Sequence, residues 1–119
     1  MHIIYGIPNC DTMKKATTWL NTHKVPFEFH DYKKLGITGS KLKEWSKQVG
    51  WEILLNRKGT TWRALDTNAQ ALIKNEKAAI KLLMENTSAI KRPVLEKDGK
   101  IVAVGFDALN YKKVVSHKS

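Results

Sequence analysis

The stretch His2-Ile3-Ile4-Tyr5-Gly6-Ile7-Pro8-Asn9-Cys10-Asp11-Thr12-Met13 decides the fold. Ile3, Ile4 and Tyr5 form a short apolar run over His2 to Gly6, which reads as a buried strand. Gly6 and Pro8 break it, and Ile7-Pro8-Asn9-Cys10 is a loop. From about Asp11 to His23, Met13, Ala16, Thr17 and Leu20 recur at i, i+3, i+4 and i+7, one face of a helix. Pro26 ends that unit, and Phe27 to Tyr32 alternates apolar and polar as a half-buried strand does. A helix crossing between two strands of one sheet makes them parallel. The only cysteine of the chain sits at the first turn of this βαβ unit.

Outward from this unit the pattern changes. After Gly36 and Gly39 the periodicity predicts helices: one capped by Thr38 or Ser40 and ended by Gly50, and a short one around Ala69 to Ile73 capped by Asp66 or Thr67. A third, amphipathic helix over Glu76 to Asn86 carries Ala79, Ile80, Leu83 and Met84 as its stripe. Asn56 to Arg63 reads as a polar loop. Strands return at Pro93 to Glu96 and Lys100 to Val104, flanking an Asp98-Gly99 hairpin turn. Asp107 caps a last helix with Ala108, Leu109, Tyr111, Val114 and Val115, and Ser116 to Ser119 is a frayed tail. The fold class is α/β (α+β): a β-α-β unit plus a β-hairpin and helix, the order of a thioredoxin or glutaredoxin domain. It forms one domain over residues 1–119, with a helical insertion at about 36–90.

Composition bounds the function. The length, 119 residues, suits one domain. No stretch is apolar enough to span a bilayer, and no signal peptide is visible, so the expected location is the cytoplasm, as a monomer without membrane attachment. One cysteine excludes an internal disulfide and a cysteine-rich zinc site, and the four histidines lack ligand spacing. The net charge is +10, from eighteen lysines and only three arginines. Most of that is a solvated surface; the rest invites an anionic partner. Arginine is favoured where a flat, forked donor must grip an oxyanion, so each of the three invites a role.

Cys10 at a helix start faces unpaired N–H groups and partial positive charge, which favour the reactive thiolate. The bland reading is a buried, inert thiol. The spacing Cys10-Asp11-Thr12-Met13 puts a thioether where a redox dithiol would have its second thiol. A covalent adduct on Cys10 therefore needs a thiol from another molecule. Pro93 permits a cis peptide that would turn Arg92 toward Cys10; the residues alone leave open an ordinary trans proline with a solvated arginine.

Tyr5 to Ala16, Asn56 to Arg63, Ile90-Lys91-Arg92-Pro93-Val94-Leu95 and Val104-Gly105-Phe106, in this order, resemble the ArsC/Spx/YffB family, and most closely its YffB branch. The resemblance covers about residues 2 to 115. It implies a thioredoxin-like fold with an inserted helical subdomain and a nucleophilic Cys10. It implies Arg92 as an oxyanion ligand before a cis Pro93, and Arg57 as a second site arginine. Asn9, Thr12 and Lys14 are expected to supply donors near the sulfur, binding substrate or glutathione together with Arg57 and Pro93. No tightly bound cofactor is implied; glutathione is the expected co-substrate. The expected partners are glutathione or glutaredoxin and a small oxidised substrate. The alternative is an Spx-like module binding RNA polymerase or another acidic protein. Glutaredoxin-linked arsenate reductases carry an arginine where this chain has Gly105, which counts against arsenate as substrate.

Overall fold

A computed structural model describes residues 1–115. The expectation for Ser116 to Ser119 lies outside the described residues. The chain forms two compact units: Met1–Leu35 with the segment from Arg92 onward, and Gly36–Lys91.

The first unit is a four-stranded mixed sheet in the order β2-β1-β3-β4. Strand β1 (His2–Gly6) runs parallel to β2 (Phe27–Asp31), and helix α1 (Asp11–Thr22) makes the crossover. Strand β3 (Val94–Lys97) lies antiparallel to β1 on its other side and continues through the hairpin into β4 (Lys100–Val104). Asp98 and Gly99 both take positive φ, 54° and 81°, as a two-residue hairpin turn requires. A short helix, α2 (Tyr32–Leu35), follows β2, and α8 (Ala108–Val114) closes the unit after the Asp107 carboxylate accepts from the Leu109 N–H at 3.2 Å. This is the thioredoxin-like order expected from the sequence.

The side chains sort by sheet face. Ile4, Leu95 and Ala103 pack with Met13, Ala16 and Leu20 of α1 and with Tyr111 of α8. Tyr5 and Glu96 belong to the opposite face by the two-residue period of strands. Met13 is buried, as its place on the apolar face demands, and its sulfur lies where a Cβ on Gly6 would stand. Gly6 is therefore what lets the first turn of α1 close onto the end of β1. Leu109 departs from expectation: it is 72% exposed, while Tyr111 carries the contact of α8 with the core.

The second unit is helical. Helix α3 (Gly39–Val49) starts at Thr38, whose hydroxyl accepts from the Lys41 N–H at 3.1 Å, and stops at Gly50, whose φ of 89° an L-residue seldom adopts. Short helices α4 (Trp51–Leu54) and α5 (Thr60–Ala64) follow. The polar loop expected over Asn56 to Arg63 is thus corrected: it ends at Gly59, after the Asn56 side chain accepts from the Lys58 N–H at 3.2 Å. Asp66 caps α6 (Thr67–Ala71), and Asn75 caps α7 (Glu76–Glu85). On α7, Ala79 and Leu83 are buried, whereas Met84 is 44% exposed and lies outside the stripe assigned to it. A 3₁₀ turn (Thr87–Ala89) leads back, held by Asn56 N–H to Ala89 O (2.9 Å) and Lys91 N–H to Leu54 O (2.7 Å). Trp45, Leu42, Leu54, Leu83 and Ile90 are fully buried. No helix among the described residues is long and apolar enough to cross a membrane.

Candidate active site

Cys10 is the N-cap residue of α1, with extended backbone (φ −106°, ψ 130°). Asn9 before it takes φ 60°, a left-handed conformation that asparagine tolerates better than most residues, and this turns the chain from strand to helix. The Lys14 N–H closes the first helical turn on the Cys10 carbonyl at 3.0 Å. The sulfur makes no hydrogen bond of strict capping geometry, yet the N–H groups of Thr12 and Met13 are close enough to favour its anion. These are two of the donors that every helix start leaves without an intrahelical partner.

The Arg92–Pro93 peptide is cis. Arg92 is half-buried, and its guanidinium is close enough to the Cys10 sulfur to favour the anion. Burial pushes the thiol up. The Met13 N–H, the Arg92 guanidinium and the Thr12 N–H together outweigh burial and hold the thiol below its ordinary value. Cys10 is itself only half-buried, so a reactant can reach it.

The structure therefore gathers Asn9, Cys10, Thr12, Arg92 and Pro93 at one end of the sheet. Lys14 is exposed one turn down α1. Arg57 belongs to the second unit, where its guanidinium lies 5.9 Å from the Trp51 ring and 5.7 Å from the Trp62 ring. Two indoles hold that exposed arginine by cation–π contact. Arg63, on α5, is exposed.

Sequence reasoning missed the polar set beside Arg92. The Tyr5 hydroxyl donates to the Glu96 carboxylate at 2.9 Å, and Glu96 is only 2% exposed. The rings of His30 and Tyr32 stand 4.7 and 6.2 Å from that of Tyr5. Burial drives the Tyr32 phenol far above its usual range; the fields of Tyr5 and Glu96 add to this and that of Arg92 opposes it. Tyr32 thus shares one electrostatic environment with both Arg92 and Glu96. The alternation in Phe27 to Tyr32 was the available signal that His30 and Tyr32 share a face, but it could not name Glu96 as their neighbour.

Gly105 takes φ 82° and donates its N–H to the Pro93 carbonyl at 2.8 Å. The position at which arsenate reductases were expected to carry arginine is here a left-handed turn tied to the site proline.

Comparison with known proteins agrees with this geometry. A solved structure described as a YffB protein superposes with a TM-score of 0.89 at 47% identity, covering 97% of this chain and 99% of that one. An uncharacterized protein of Haemophilus influenzae is 39% identical over 112 residues, 94% of this chain and 96% of its own. The global transcriptional regulator Spx of Lactiplantibacillus plantarum is 24% identical over 99% of this chain and 89% of its own. The family model described as the ArsC family matches residues 5–114, a span that takes in the Cys10 loop, the helix behind it and the Arg92–Pro93 strand: the chain belongs to the ArsC family.

Proposed function

We propose that this protein is a cytoplasmic thiol reductase that works through Cys10 and is turned over by glutathione. The observation that carries the reading is the Cys10 sulfur at the start of α1, held below the ordinary thiol value by the helix N–H groups and by Arg92. A lowered thiol favours the thiolate, the nucleophile that sulfur exchange needs.

The proposed reaction is exchange on a glutathione mixed disulfide. The Cys10 thiolate attacks the glutathione sulfur of R–S–S–G. The S–S bond breaks, RS⁻ leaves and is protonated, and Cys10 carries glutathione. A second glutathione thiolate attacks the adduct, the Cys10 thiolate departs, and oxidised glutathione forms. Two electrons pass from glutathione to the substrate. Arg92 would hold the leaving thiolate or a substrate carboxylate while it shields the Cys10 charge. Asn9, Thr12, Lys14 and Pro93 are the candidate contacts for the glutathione backbone. Because Met13 replaces a resolving thiol, the second step must be intermolecular.

Arsenate fits this site less well. An arginine at position 105 would need a backbone other than the left-handed turn that Gly105 makes.

The test is turnover of a glutathionylated peptide, read as oxidised glutathione through coupled NADPH consumption. The expected result is turnover abolished by Cys10→Ser and strongly reduced by Arg92→Ala. Equal rates for the three proteins would sink the reading.

A second reading is an Spx-like module that binds RNA polymerase, favoured by the Spx match and the +10 charge. It predicts salt-sensitive binding to RNA polymerase that survives Cys10→Ser.

A further inference from the structure

At the end of the sheet opposite the Cys10 loop lies a cavity of about 500 Å³. It sits where β1 begins, β3 ends and the chain leaves α1, a strand length of about 13 Å from the site. Its size falls within the range of ligand pockets in proteins. His2, Lys24 and Lys97 give it basic walls; Val25, Pro26 and Val115 give it apolar ones.

His2 is the unusual member. It is 8% exposed and lines the cavity. Its ring makes no hydrogen bond to the described residues, which leaves it available to a ligand in the cavity. The register places His2 directly opposite Lys97 on the antiparallel neighbour, so the two side chains share a face. Two basic groups in that relation repel when both are charged. Among the described residues nothing acidic lines the cavity; Asp98 in the hairpin turn acts on His2 and stands 3.9 Å from the amino group of Met1. His23 also faces the cavity, but its Nδ1 is engaged with the Trp19 carbonyl at 2.8 Å and its ring stacks on Trp19. The His2 imidazole, a lysine across the strand and a second lysine at the rim form a cradle for one negative charge.

We propose that this cavity binds a small organic acid, its carboxylate held by His2, Lys97 and Lys24 and its apolar body lying on Val25, Pro26 and Val115. A singly charged head suits it better than a dianion. The walls give little to replace the water a dianion would lose, and Asp98 opposes further negative charge.

Burial holds His2 below its ordinary value, with Lys97 and the Met1 amine adding to the depression and Asp98 opposing it. A bound carboxylate favours the imidazolium, so binding raises the His2 pKa. The experiment titrates sodium hexanoate into the full chain and follows the His2 ring resonances by NMR at several pH values. The expected result is a saturable shift and an upward move of the His2 titration, with 1-hexanol and sodium chloride producing neither. Lys97→Gln changes an exposed side chain, so the fold is kept; it is expected to weaken binding about tenfold, the worth of one charge-assisted hydrogen bond. No saturable shift up to tens of millimolar overturns the proposal. So does an equal response to 1-hexanol, or an affinity unchanged by Lys97→Gln.

Discussion

The guanidinium of Arg92 stands where it favours the thiolate of Cys10, bringing together two residues 82 positions apart in the sequence. The strand register makes this meeting possible: β3 pairs with β1, so the residue before Pro93 comes beside the loop that leaves the end of β1. Arg92→Ala is expected to raise the Cys10 thiol toward its ordinary value and to slow its alkylation by iodoacetamide at neutral pH. Arg92→Lys keeps a charge but not the fork, and should fall between. The pH dependence of alkylation rate measures both. An Arg92→Ala profile that overlays the parent would remove Arg92 from the account of the thiolate.

The lowered thiol has a consequence for stability. The folded value lies below the unfolded one, so the fold favours the thiolate. That stabilisation is fully present above the unfolded thiol value of roughly 8.5 and is lost as pH falls through the folded value. Cys10→Ser should therefore show a stability deficit that grows with pH across this window and vanishes below it. Urea midpoints of the two proteins at a series of pH values give the answer; a difference that does not change with pH contradicts the assignment.

Much of this site was legible before the structure. Cys10 follows a strand broken by Gly6 and Pro8 and precedes a helical stripe, so its place at a helix start follows from local pattern alone. The Asp98-Gly99 turn and the Asp66 cap were legible for the same reason: the chemistry that makes them is within four residues. The helices α2, α4 and α5 were not, because a single helical turn has no period to detect and is held by what it packs against. The Tyr5–Glu96 pair was also hidden. Its partners are 91 positions apart, and only the β1–β3 register brings them to one face. Arg57 was legible as an arginine in search of a role, but its two indoles were not.

The Tyr5–Glu96 bond makes its own prediction. Glu96→Leu removes the acceptor and leaves the Tyr5 hydroxyl buried without this partner, which costs about 1–3 kcal/mol. Glu96→Gln retains an acceptor and should cost less. In a Tyr5→Phe background the Leu substitution should lose part of its effect, since the orphaned hydroxyl is gone. Urea unfolding of the four proteins measures the coupling. Strict additivity would mean that the bond contributes nothing of its own.

Gly105 tests how far this site stands from arsenate chemistry. Its φ of 82° is open to glycine, and its N–H to Pro93 O bond of 2.8 Å anchors the turn after β4 to the residue that follows Arg92. A Cβ in the left-handed region costs roughly 1–2 kcal/mol. Gly105→Arg should therefore destabilise the protein by about that amount, visible as a lower urea midpoint. The new arginine can leave the strained conformation only by pulling the turn away from Pro93, which disturbs the backbone beside Arg92. We expect it to bring no gain in arsenate-dependent glutathione oxidation and a loss in mixed-disulfide turnover. Were Gly105→Arg instead to gain arsenate turnover at full stability, the turn would be pliable, and one missing cation would be all that separates this site from an arsenate reductase.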